Sequence, residues 1–223
     1  MTHAIFLTID GTEELAGRVR DDMERRVIPG LCQRCGINFI SLFAPIPGQE
    51  DPFVKDAAPP PLVIQIDTDD LAHVEPLFAD AEFMRRMEGF VSCEAFETLS
   101  YPVDGAADPA MRTAPISFNV RYYAPIEDEK QFVEHYLESH PPILGELPGV
   151  RNVLCYVPVH WAGPVPVSNC VLGNEVTFDS MEALNAALAS DVRHRLREDY
   201  NAFPIRPGPN THYARERRDF RID

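Results

Sequence analysis

The feature of this sequence that most restricts its fold is that it repeats. Residues 36–45 read GINFISLFAP and residues 149–158 read GVRNVLCYVP. Each opens on Gly, runs through a strand-like segment and closes on Pro, and Gly36 lies 113 residues before Gly149. The same step of 113 pairs AIFLTIDG (4–11) with SFNVRYYA (117–124), so that Ile5, Leu7 and Ile9 fall in phase with Phe118, Val120 and Tyr122. Alternation of this kind marks a strand with one buried face.

A helix is expected between those strands in each half. In the first, Leu15, Val19, Met23 and Val27 recur every four residues behind a Thr12 cap; in the second, Phe132, Val133, Tyr136, Leu137 and His140 form the stripe. Pro29 and the pair Pro141-Pro142 predict where these helices end. Third strands follow at PLVIQID (61–67) and VLGNEVTF (171–178), at a step near 110. Second helices come next. One runs from Leu71 to about Met87, with Pro76 in its first turns. The other starts at Asp179 with Glu182 three residues on, and lines one face with Met181, Leu184, Leu188, Val192 and Leu196. EAFETLSYPV (94–103) and THYARERRDF (211–220) read as closing strands, and GAADPAMRTAP (105–115) as the join. The reading is α+β: a βαββαβ unit twice, over 1–104 and 115–223. Two helices cover only one face of a four-stranded sheet. Two copies packed sheet to sheet bury the other face and close a barrel-like interior.

Composition narrows the function. With 35 acidic against 20 basic residues the net charge is −15, which repels a phosphate backbone, so no nucleic-acid partner is expected. No run approaches the ~20 apolar residues that span a bilayer, so no membrane partner is expected. Met1–Asp10 lacks the basic and apolar regions of a secretory signal, and a cytoplasmic location is the expectation. Five cysteines argue against a disulfide framework. The single CxxC, Cys32 and Cys35, falls between a helix and a strand, has no second ligand pair, and reads as structural. Arg215, Arg217, Arg218 and Arg221 crowd the C-terminus; a solvated strand edge or salt-bridge network is weighed there against an anion site. The proline-rich stretch 45–62 is a lid or an insertion.

The segment FVEHYLESHPPILGELPGVRNVLCYVP (132–158) resembles the EthD-like branch of the dimeric α/β-barrel superfamily, through His140, Pro142, Ile143, Leu147, Pro148 and Gly149. VTFDSMEALNAALAS (176–190) is similar to that family's third strand and second helix. The first repeat matches in layout only: Val27 stands where His140 does, and Pro29 where Pro142 does. The resemblance implies ferredoxin-like units paired by their sheets, with a ligand cavity beneath or between them. It implies a superfamily that holds cofactor-free monooxygenases, muconolactone-type isomerases, dehydratases, cyclases and haem-linked enzymes, so it speaks to fold more than to chemistry.

Strand alternation assigns faces. If Phe118, Val120 and Tyr122 face the helices, Asn119, Arg121 and Tyr123 face the interior, as do Glu175, Thr177 and Tyr156. His140 is the candidate acid/base, since imidazole exchanges protons near neutral pH; a core histidine anchoring a turn is the alternative. Arg121 can hold a carboxylate or enolate-like oxygen, or pair internally with Glu175, itself a candidate acid or base. Asn119, Tyr123, Tyr156, Trp161 and His212 are candidate substrate contacts; Tyr123 and Tyr156 also read as aromatic packing and Trp161 as a half-buried surface ring. His140, Glu175 and His212 lack helical metal-pair spacing, and no metal is expected. No phosphate-binding glycine loop is present. The expectation is a cofactor-independent enzyme (no cofactor) doing proton-transfer chemistry as an isomerase, dehydratase or lyase on a small cyclic or aromatic substrate. A cofactor-free monooxygenase and a non-catalytic ligand-binding protein are the alternatives, and a homodimer of the two-repeat chain is a further expectation.

Overall fold

A computed structural model describes residues 2–31, 36–54, 56–106, 108–109, 111, 114–161 and 169–221. Cys32 and Cys35 lie outside the described residues. The first half contributes β1 (Thr2–Ile9), α1 (Glu13–Asp22), a π-helical segment Met23–Val27, α2 (Ile28–Leu31), β2 (Ile37–Pro45) and β3 (Leu62–Thr68). A 3-10 turn (Leu71–His73), α3 (Glu75–Ala79), α4 (Ala81–Arg86) and β4 (Phe90–Tyr101) complete it. The second half contributes β5 (Ile116–Tyr123), α5 (Glu129–Leu144), β6 (Asn152–Pro158), β7 (Cys170–Phe178), α6 (Met181–Leu188), α7 (Asp191–Asn201) and β8 (Asn210–Arg221). Among the described residues no helix is long and apolar enough to cross a membrane.

The eight strands form one closed antiparallel barrel in the order β1-β3-β2-β8-β5-β7-β6-β4. Within it the order β4-β1-β3-β2 of the first half recurs as β8-β5-β7-β6 in the second. The halves join edge to edge, through β2 with β8 and β4 with β6, rather than face against face as expected. Each half would otherwise leave two edge strands with unpaired N–H and C=O groups; pairing them abolishes those edges. Helices coat the outside. Their apolar faces form two cores, one around Ile5, Leu7, Met23 and Ile64 and one around Phe118, Val120, Tyr136 and Val176. A third cluster, with Phe6, Phe43, Phe96 and Tyr156, fills part of the interior.

Two helix expectations are corrected. The first helix follows its expectation: Thr12 caps it, its described turns run to Leu31, near Pro29, and the four-residue spacing of its apolar stripe is met by the wider π turn at Met23–Val27, which keeps Met23 and Val27 on the sheet. The second-half helix runs through Pro141 and Pro142 to Leu144. Pro141 cannot donate to the Leu137 carbonyl, and the Tyr101 hydroxyl donates to it instead at 3.1 Å. The helix expected from Asp179 is two helices, broken at Ala189 and Ser190. Its cap is Ser180, whose Oγ accepts the Ala183 N–H, while Asp179 pairs with Arg151.

Candidate functional site

The alternation read from the strands is the one observed. Phe118, Val120 and Tyr122 pack under the helices, and Asn119, Arg121 and Tyr123 line the interior. Glu175 and Tyr156 are interior and fully buried. His140, however, projects from α5 onto the outer face of the sheet. It therefore cannot share a substrate with Arg121 and Glu175, which are on the other side of the strands. The expected three-residue constellation does not assemble. The salt bridge of Glu175 runs to Arg217 among the described residues: Glu175 accepts from Ser117 Oγ at 2.7 Å, Tyr156 OH at 2.6 Å and Arg217 Nη1 at 3.0 Å. Trp161 also lies elsewhere, against Phe78 in the first-half core.

His140 and His212 do come together. Both line a cavity of about 70 Å³ between the outer face of β5, β7 and β8 and the helices α5, α6 and α7. His212 pairs across the sheet with Val120, which fixes its parity to the helix side. The walls are mostly apolar, with Phe118, Val176, Leu184 and Leu188 among them. Few polar groups converge there, the usual composition of a small-molecule site.

His140 Nδ1 lies 2.7 Å from Asp199 Oδ2, which also takes the Ser139 hydroxyl at 3.4 Å. A carboxylate only accepts, so Nδ1 carries the hydrogen and Nε2 is left with its lone pair. Burial pushes the His140 pKa below its ordinary value; Asp199 pulls it back up and Arg193 adds a smaller downward push. Burial raises the Asp199 carboxyl, but its bonds to His140 and Ser139 outweigh that and hold it below its usual range. The pair is thus a neutral imidazole oriented by a carboxylate, an arrangement fit for accepting a proton. Beside it, Tyr136 stacks at 4.8 Å between ring centres. The Tyr136 hydroxyl takes the Asn174 side-chain N–H and bonds Tyr122. The Asn174 carbonyl oxygen is buried and unpartnered among the described residues. A buried amide acceptor on a cavity wall costs free energy unless a ligand donor meets it. Sequence reasoning misses Asn174, Tyr136 and Asp199 as site residues. Asn174 leaves a signal, since it stands in the helix-facing register of Leu172, Val176 and Phe178.

Among the described residues the first half builds no such site. Pairing and register place Val27, Met23, Ile64 and Cys93 where the second half has His140, Tyr136, Asn174 and His212, and all four are core residues. It contributes instead the cover. The 45–62 stretch crosses onto the second half as a strap. Asp51 accepts Arg193 Nη2 at 2.9 Å and Nε at 3.2 Å. Glu50 N–H reaches Asn185 Oδ1 at 3.1 Å, Phe53 packs edge-on to His194, and Val54 lines the cavity. Asp56 accepts the backbone N–H of His212 at 2.6 Å and sits 3.2 Å from its Nδ1. The described residues of this stretch therefore cover the cavity.

The cavity is smaller than the ~150 Å³ apolar cavity that admits benzene. A haem, as in some members of the superfamily the sequence resembles, does not fit these walls. Among the described residues no three His, Cys, Asp or Glu side chains are grouped to hold a metal.

Acid stability follows from the two histidines. Burial depresses His212 as well, against the upward pull of Asp56 and Asp51. In the unfolded chain both protonate around 6.5, whereas in the fold both resist until lower pH. The unfolded state binds more protons in that window, so stability falls as pH drops below about 6.5, by up to ~1.4 kcal/mol per pH unit per histidine. Glu94, raised by burial, works in the opposite sense at more acidic pH. Urea unfolding at stepped pH checks this; stability that stays level from neutral pH through the acid side of 6.5 would contradict it.

No protein-family profile and no curated protein matches the chain. Solved structures do. An anthrone oxidase-like protein superposes over 99% of this chain and 93% of its own length, at TM-score 0.65 and 16% identity. A proposed monooxygenase of Fusobacterium nucleatum covers 99% and 93% at TM-score 0.59 and 8% identity, and one of Lactobacillus acidophilus NCFM covers 99% and 96% at 0.55 and 9%. These likenesses are of fold. The chain thus shares its overall fold with these proteins, an eight-stranded antiparallel barrel that here closes within a single polypeptide.

Proposed function

We propose that the chain is a cofactor-independent enzyme that removes a proton from a small cyclic or aromatic substrate bound between the second-half sheet and helices. The observation that carries this is the His140–Asp199 pair on an apolar cavity that also holds the unpartnered Asn174 carbonyl. A substrate C–H or O–H proton passes to His140 Nε2, Asp199 steadies the imidazolium, and Asn174 accepts a substrate hydroxyl. His212, on β8, is a second proton carrier. Return of the proton at another atom of the substrate is an isomerisation; breakage of an adjacent C–O bond, with the departing hydroxyl protonated and released as water, is a dehydration; breakage of another adjacent bond, with the proton going to the leaving group, is a lyase reaction. The second reading is capture of the resulting anion by dioxygen, favoured by the whole-length fold likeness to an anthrone oxidase-like protein and to proposed monooxygenases. The recurring strand order supports reading the halves as tandem ferredoxin-like repeats. Because the barrel closes in one chain, a homodimer would involve only outer surfaces.

Anthrone is the probe. Deuterium exchange into its methylene reports the base step, and its oxidation with and without dioxygen separates the two readings. Exchange is expected to be level at neutral pH and to fall as His140 protonates below its ordinary range. Asp199→Asn removes the group that raises His140, so the acid limb moves to lower pH while the plateau drops. Exchange no faster than in buffer, or a profile unmoved by Asp199→Asn, would overturn the proposal.

A further inference from the structure

We infer that the open end of the barrel interior is a second, separate ligand site, which takes the carboxylate of a small monoanionic acid between Arg121 and Arg215. The two guanidiniums line one cavity of about 80 Å³, on the face of the sheet opposite His140. The C-terminal arginines are therefore not a solvated edge: alternation along β8 turns Arg215 and Arg217 inward and leaves Arg218 outside with Glu24.

Arg217 has its carboxylates, Glu175 and Asp219. Arg121 and Arg215 have none within salt-bridge distance among the described residues. Arg215 is 5% exposed, and its hydrogen-bond partner is the Pro60 carbonyl at 3.2 Å. Arg121 donates to the Val120 carbonyl at 3.3 Å, and its guanidinium lies over Phe6, Tyr156 and Phe96 at 4.6, 4.9 and 5.3 Å. A guanidinium carries five N–H donors, and cations this enclosed are normally paired. Burial and the neighbouring Arg121 together bring Arg215 down to about 10, a sign of two positive charges left facing one space. Asn119 points the same way. It lines the cavity, is 8% exposed, and its side-chain N–H is unpartnered among the described residues.

The wall chemistry selects the anion. Guanidinium forks match a planar carboxylate. Phe6 and Phe43 offer an apolar flank, and the small volume excludes a large headgroup. Glu94, on the same wall with an unpartnered buried oxygen, repels a dianion more than a monoanion. Gly173 makes room for this: a Cβ there would stand 2.2 Å from Arg121 Nη1. No other residue leaves the guanidinium in place.

Saturation-transfer NMR with sodium propionate, at constant ionic strength in chloride, tests the site on the full chain. Saturable binding is expected, weakened at least about tenfold by Arg215→Met or Arg121→Met and tightened several-fold by Glu94→Gln. Gly173→Ala keeps every charge but displaces the Arg121 guanidinium, and is expected to weaken binding even where an arginine variant fails to fold. His140→Ala is expected to leave propionate binding unchanged, which separates this site from the proton-transfer cavity. Absence of saturation, binding indifferent to Gly173→Ala and Glu94→Gln, or inorganic phosphate binding more tightly than propionate would overturn the assignment.

Discussion

Replacing His140 with alanine is expected to lower anthrone deprotonation by about 10²- to 10⁴-fold, the span over which a positioned general base acts. The same substitution will also cost stability. His140 is packed against Tyr136 and Phe203 and is bonded to Asp199, so its removal leaves a void and a carboxylate without its partner. A lowered melting temperature therefore does not distinguish a base from an anchor. Added imidazole does. The space vacated by the imidazole ring admits free imidazole, which restores exchange if Nε2 was the proton acceptor. Loss of stability with exchange left intact would make His140 a core histidine, and the rest of the site would then need another base.

Glu175→Ala is expected to be the most destabilising single change in the barrel interior, at about 3–5 kcal/mol. Glu175 and Arg217 both have no exposed side-chain surface. Deleting the carboxylate removes an acceptor from the Ser117 and Tyr156 hydroxyls and a buried charge partner from Arg217. The paired replacement Glu175→Leu with Arg217→Met removes the charge together with its complement. It is expected to recover much of the loss, because a buried ion pair gains little net energy over an apolar pair. Guanidinium denaturation of wild type, single and double variants gives the comparison. A single variant within about 1 kcal/mol of wild type would mean that water or another cation already serves these groups.

The parity of the strands is legible in the amino-acid sequence, and it places Asn119, Arg121, Tyr123, Tyr156 and Glu175 correctly. The same parity separates them from His140. A helix that covers a sheet touches the residues pointing toward it, so a helical histidine meets the register of Val120 and Asn174 and never that of Arg121. The family-like His-Pro segment draws attention to a side chain that lines a cavity, but grouping it with the interior residues puts it on the wrong side of the sheet. Asn174 is readable as a polar intruder in an apolar register. Asp199 is not, because nothing local distinguishes it from the other charges of its helix, and its role depends on α7 turning after Ser190. Nor are Asp51 and Asp56 readable, whose partners Arg193 and His212 lie 142 and 156 residues away. Such contacts depend on how two halves close, which no window of sequence contains.

The strap gives the two halves unequal kinds of work. The residues that would do chemistry are on one half, and the residues that decide what reaches them are on the other. Changes within 45–62 alter the doorway without touching the proton donor or acceptor, and changes around His140 alter the reaction without redrawing the doorway. A symmetric pair of identical subunits cannot do this, since every substitution there falls on door and workbench at once. One fused chain can therefore acquire new substrates along one stretch of sequence while it keeps its chemistry in another.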